Sequence, residues 1–104
     1  MDMETFKLIE RDIVTHQIYT DFVYEKNMEV YYFHANVYNK TYVSMLPMNE
    51  KDARSTFYYY SMLLCGFYDT YGEKSFIDAV KKYVSKKPIE RIYSDKTEAS
   101  IKKD

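Results

Sequence analysis

The chain of 104 residues has two glycines, two prolines, one cysteine and no tryptophan. Each shortage excludes something. Phosphate-cradling loops and nucleophile elbows need glycine where the backbone turns sharply or approaches a ligand, and neither motif is present. The lone Cys65 rules out an internal disulfide and a cysteine pair at metal-binding spacing. No His-Glu-x-x-His motif occurs either, so the expectation is a protein without catalysis, metal or cofactor. No apolar run approaches the roughly 20 residues that cross a bilayer as a helix. Residues 1–10 hold four charged side chains and no apolar block of signal-peptide type. A cytoplasmic, reducing location without membrane contact is expected.

What the chain has instead is tyrosine, thirteen of them, with six phenylalanines. A tyrosine ring offers a large rigid apolar face and one hydroxyl, a combination enriched where protein meets protein. Apolar residues make up 46% and charged residues 30%, the balance of a folded globular domain. A chain this long forms one domain and buries about two thirds of its unfolded surface, enough to fold without staples.

The net charge of −1 conceals an asymmetry, because residues 1–73 carry net −5 and residues 74–104 carry net +4. A balance this close to zero argues against a mimic of DNA, which needs a dense carboxylate array. It also argues against a general nucleic-acid binder, which needs a broad basic surface.

Residues 13–46 are rich in Val, Ile, Tyr, Phe and Thr and are interrupted by Glu25-Lys26-Asn27 and Asn39-Lys40, the pattern of strands and turns. Three antiparallel strands are predicted at about 14–24, 28–37 and 41–46. A short element over 4–10 precedes them, as helix or strand. A three-residue first loop would pair Phe22 with Val30 and Ile18 with His34. That register puts Val14, Ile18, Phe22, Val30, Val43 and Met45 on one face, and Tyr19, Tyr31, Phe33, Val37, Tyr42 and Leu46 on the other. Both faces are unusually apolar, and one layer of helices covers only one of them.

Pro47 stops the last strand, and Asn49 with Asp52 three residues on is a helix N-cap with a capping-box acid. Ala53, Phe57, Tyr60, Leu64, Phe67, Tyr68 and Tyr71 then recur at three- and four-residue steps, with Phe57, Tyr60, Leu64 and Phe67 as the main core stripe. Residues 56–68 contain no charge at all, so this helix is apolar nearly all round. Gly72 is placed to end it. A second helix over 74–86 carries Phe76, Ile77, Val80, Tyr83 and Val84 on one face, and Pro88 ends it. Residues 89–93 suit a short strand, 1–93 form the domain, and 94–104 read as a flexible tail.

Chemistry has few places to sit. His16 and His34 lie diagonally on one face in the register above, but a one-residue slip separates them, and they lack a third ligand. Cys65 sits among apolar neighbours that raise a thiol pKa, so it belongs to the core. Glu10, Asp12, Asp21 and Glu29 read as carboxylates that wet a sheet surface. Lys81, Lys82, Lys86, Lys87 and Arg91 form a basic patch suited to phosphates or an acidic protein. Tyr58-Tyr59-Tyr60 is the most telling feature, since consecutive helical side chains diverge by about 100° and cannot all face one core.

These features predict an α+β domain, a three- or four-stranded antiparallel meander packed by two C-terminal helices. The expected role is a non-catalytic protein-binding module using Tyr19, Tyr31, Phe33 and Tyr42, or Tyr58 and Tyr59, against a larger host protein or a second copy of itself as a homodimer. In size, glycine-poor tyrosine-rich composition and absence of motifs, the chain resembles in type the small accessory proteins of phages and mobile elements. These include anti-defence inhibitors such as anti-CRISPR proteins, a resemblance that implies occlusion of a site on a larger protein. The alternative is a nucleic-acid-associated regulator that uses the basic C-terminal third with stacking from Tyr83 or Tyr93.

Overall fold

A computed structural model describes residues 5–90. Its elements are β1 (Phe6–Thr15), β2 (Ile18–Glu25), β3 (Val30–Val37), β4 (Lys40–Met45), α1 (Glu50–Tyr71), α2 (Glu73–Tyr83) and β5 (Ile89–Glu90). The strands form one antiparallel sheet in the order β1-β2-β3-β4-β5. The two helices follow the four-stranded meander, which is the α+β arrangement expected from the pattern. Residues 91–93 and the tail expected over 94–104 lie outside the described residues.

The first two strands divide differently from the expectation. The element over 4–10 and the strand over 14–24 are in fact β1 and β2, broken at His16-Gln17. Thr15 makes that break, its Oγ1 accepting from the backbone N–H groups of Gln17 (3.2 Å) and Ile18 (3.1 Å). The β2–β3 loop is also longer than three residues. Glu25 Oε1 accepts from the Met28 N–H at 2.6 Å, and Glu29 takes a left-handed φ of 58°. Phe22 therefore pairs with Phe33 and Ile18 with Val37, a shift of three residues from the expected register. An odd shift exchanges the faces. Ile18 and Phe22 join Phe33, Val37 and Tyr42 on one side, and Tyr19 goes to the other.

The helices cover the first of these sides. Asn49 caps α1, its side-chain oxygen accepting from the Asp52 N–H at 2.9 Å. Phe57 then packs its ring 5.5 Å from Phe22 and 5.7 Å from Phe33, with Ala53 and Leu64 buried beside it. Tyr60 and Phe67 lie at the margin of the same core, half-buried. Gly72 joins α1 to α2 with φ 97°, a conformation that L side chains rarely adopt, and its N–H closes α1 on the Tyr68 carbonyl at 2.8 Å. From that joint α2 brings Phe76, Ala79 and Val80 into the core. It ends at Tyr83, short of the expected 86.

Leu64 is wholly buried at the centre of α1. Leu64→Ala is expected to lower stability by about 2–5 kcal/mol in urea unfolding. An unchanged midpoint would contradict the helix phase described here.

Candidate functional site

The face of α1 turned away from the sheet leaves large side chains exposed on a stretch without charge. At 100° per residue Tyr59, Met62 and Gly66 fall within about 60° of one another, opposite Phe57 and Leu64. Tyr59 is 64% and Met62 74% exposed, Tyr58 is 39% exposed at the flank, and Tyr71 is exposed at the end of the helix on its other side. Met62, Leu63, Gly66, Phe67, Thr70 and Tyr71 line a shallow depression of about 360 Å³ that begins at the edge of this face and runs round the flank of the helix. No charged residue occurs between Arg54 and Asp69, so the whole middle of the face is neutral. A contiguous exposed apolar patch of this kind marks interaction sites.

Gly66 sits in the middle of this face. A Cβ built on it meets nothing within 4 Å, so no contact inside the chain requires a glycine there. In a helix interior glycine costs about 0.5–1 kcal/mol relative to alanine. That cost is offset by nothing within the described residues.

The other side of α1 is fastened to β1 by polar contacts. Ser61 donates to Asp12 Oδ2 and shares a hydrogen bond with Thr20 Oγ1 at 3.0 Å. Tyr58 donates its hydroxyl to Glu10 at 2.8 Å, and Arg54 reaches the same Glu10 oxygen at 3.2 Å and Glu50 at 2.9 Å. Glu10 and Asp12 thus anchor the helix, where the sequence suggested carboxylates that only wet a sheet. Arg54 and Glu50 also border a cleft of about 510 Å³ with Lys7, Tyr24 and Tyr31. The Arg54 hydrogen bond holds Glu50 below the usual carboxylate range. Cys65, half-buried on the same helix, has its thiol pKa raised by burial first and then by the nearby Asp12.

The sheet face away from the helices holds a ladder of polar side chains, one from each strand of the meander. Arg11 of β1 donates to both oxygens of Asp21 on β2, at 2.7 and 2.9 Å, in a bidentate pair. Asn36 of β3 donates to Asp21 at 3.0 Å and accepts from the Thr41 hydroxyl of β4 at 2.8 Å. The Arg11 guanidinium lies 4.1 Å from the Tyr19 ring centroid, a cation–π contact. His34 stands beside this ladder with the rings of Phe6 and Tyr32 at 6.4 and 6.1 Å. Burial pushes its pKa down to about 3, so it is neutral in the folded protein.

Of the residues singled out from the sequence, the structure brings few together. Tyr19, Phe33 and Tyr42 are buried, Tyr19 on the ladder face and the other two in the helix-side core. Tyr31 is half-buried, 4.7 Å from the Tyr24 ring, and its hydroxyl contacts Glu50 at 3.4 Å. These four do not form one exposed face. Tyr58 and Tyr59 do lie at the surface, joined by Met62 and Gly66, which the sequence reading did not pick out as contacts. Lys81, Lys82, Lys86 and Lys87 are exposed around the end of α2, and Arg91 lies outside the described residues. His16 is exposed in the β1–β2 turn while His34 is buried at mid-strand, so the expected diagonal pair is not formed. Among the described residues, no group of three or more His, Cys, Asp or Glu side chains is placed to hold a metal ion.

No family model, curated protein or solved structure matches the chain. Functional reading therefore rests on geometry. Among the described residues no helix is long and apolar enough to cross a membrane.

Two substitutions test the ladder and its neighbour. Asp21→Ala removes the carboxylate that Arg11 and Asn36 donate to, and is expected to cost about 3–5 kcal/mol, against about 1 kcal/mol for Thr41→Val at the ladder's end. Equal small losses in chemical unfolding would show the ladder to be incidental. For His34, the unfolded chain takes up a proton near pH 6.5, whereas the folded chain does so only near pH 3. Its contribution is full above the unfolded value and is lost as pH falls between the two, by up to about 1.4 kcal/mol per pH unit. His34→Gln should remove that part of the acid slope, and superimposable pH–stability slopes for the two proteins would contradict it.

Proposed function

We propose that this chain is a non-catalytic protein-binding module whose contact surface is the outer face of α1, centred on Tyr59 and Met62. The observation that carries this reading is the neutral surface of Tyr59 and Met62 left exposed after α1 has filled the core with its other side. Aromatic residues and methionine are enriched, and lysine and glutamate depleted, at the centres of protein interfaces. The supporting scaffold is rigid, because the helix is pinned to β1 through Glu10 and Asp12 and to the core through Phe57 and Leu64. An inhibitor or adaptor that occludes a site on a larger protein, as anti-defence proteins of phages and mobile elements do, is the form that suits such a surface. It asks for shape and apolar area and for no reacting group.

A second reading has its own observation, the four exposed lysines around the end of α2. Tyr83 is poorly disposed to stack on a base, because its ring already stacks on Phe67 at 6.5 Å and carries Lys82 at 5.2 Å. The two readings separate by salt. Immobilised wild-type protein is expected to retain a protein partner equally at about 50 and about 200 mM salt, and Tyr59→Asp should lose it while keeping the same circular dichroism spectrum. Retention of nucleic acid that fades steeply over that range and is lost in Lys86→Glu/Lys87→Glu would replace the first reading with the second.

A further inference from the structure

We infer that the outer face of α1 pairs with the same face of a second copy of this chain, as an antiparallel helix pair about a two-fold axis near Met62. The inference rests on reading that face as a protein contact, and names the partner.

An isologous interface must be complementary to itself, with residue i meeting residue j and j meeting i across the axis. The outer face of α1 meets that demand. Tyr59 projects from it as a knob, and Gly66, seven residues later on the same stripe, is a notch with nothing within 4 Å of its missing side chain. Seven residues is about two helical turns, so knob and notch are aligned along the helix. Turning one copy end over end sets each Tyr59 into the other's Gly66, with the two Met62 side chains meeting between them. This supplies the reason for a glycine in the middle of an exposed helix, where the contacts within the chain supply none.

Charge and area agree with this pairing. The face is neutral between Arg54 and Asp69, so bringing it against itself opposes no like charges across its middle. Antiparallel helices also set opposite ends of their dipoles side by side. With about 200 Å² for each side chain, the exposed parts of Tyr58, Tyr59 and Met62 leave roughly 350 Å² per copy, or about 700 Å² in the pair. That is below the size of stable specific interfaces, which makes a weak, transient dimer the expected product. Self-pairing covers Tyr59 and Met62, so a different protein bound to this face would compete with it.

Sedimentation of the full chain from about 1 to about 300 µM, the range of weak association, tests the inference. Wild-type protein is expected to move from monomer to twice the monomer mass. Met62→Glu, which places two carboxylates at the axis, and Gly66→Leu, which fills the notch without adding charge, should each weaken association at least tenfold. Both positions are exposed, so the circular dichroism spectra should stay unchanged. A wild type that remains monomeric at the highest concentration overturns the inference, as does a dimer that persists undiminished in both variants. If the wild type is monomeric yet Tyr59→Asp abolishes retention of another protein, the contact face stands and only the self-pairing falls. If that substitution alters neither, both fall.

Discussion

Asp21 is a carboxylate with no exposed side-chain surface, and a charge so placed must be met by donors in the right geometry or the sheet does not form. Arg11 meets it from one neighbouring strand and Asn36 from the other, and Thr41 extends the chain of hydrogen bonds to β4. Those contacts fix the order and register of four strands. Sliding β2 by one residue would carry Asp21 to the side where Phe57 packs, away from its donors, and would turn Phe22 out of the core. The apolar side of the sheet is thus held in place by a polar arrangement on its other side.

α1 inherits its position from that register. Phe57 finds Phe22 and Phe33 side by side only because those two residues pair across β2 and β3. Ser61 finds Thr20 and Asp12, which pair across β1 and β2. The helix is therefore set in both angle and phase, and its outer face presents Tyr59, Met62 and Gly66 in one fixed arrangement. That face is a consequence of which residues the core consumed.

The helices and the limits of α1 were legible in the residues themselves, while α2 ends three residues before the sequence suggested. Asn49, Gly72 and the three- and four-residue spacing of Ala53, Phe57 and Leu64 are local features with local physical effects. The hairpin connections were not legible, because they depend on unusual residues for turns. Thr15 caps its own turn, Glu25 caps Met28, and Glu29 and Tyr38 adopt left-handed φ values of 58° and 59° that a reader of sequence assigns to glycine or asparagine. The register error that followed put Tyr19 with Phe33 and Tyr42, and so gave a sheet patch that the structure instead buries on two sides. Tyr58 and Tyr59 were visible as a site because helical geometry alone denies three consecutive tyrosines a shared core. The glycine between them and Tyr71 stood out only once the space around it was seen to be empty.

The tyrosine content has a second consequence at the rim of the fold. Tyr31, Tyr38 and Tyr58 each donate a hydroxyl to a glutamate, Glu50, Glu73 and Glu10, and each contact ties the sheet or one of its turns to a helix. Burial and then Glu50 raise the pKa of Tyr31, and the hydrogen bond to Glu73 raises that of Tyr38. Tyr31 and Tyr38, held protonated in the folded state, stabilise it below their ordinary pKa of about 10 and cease to do so as the pH climbs past their raised values. At alkaline pH a phenolate would then stand against a carboxylate where Tyr31 meets Glu50 and where Tyr38 meets Glu73, so two of the contacts that fasten sheet to helix turn from attraction to repulsion.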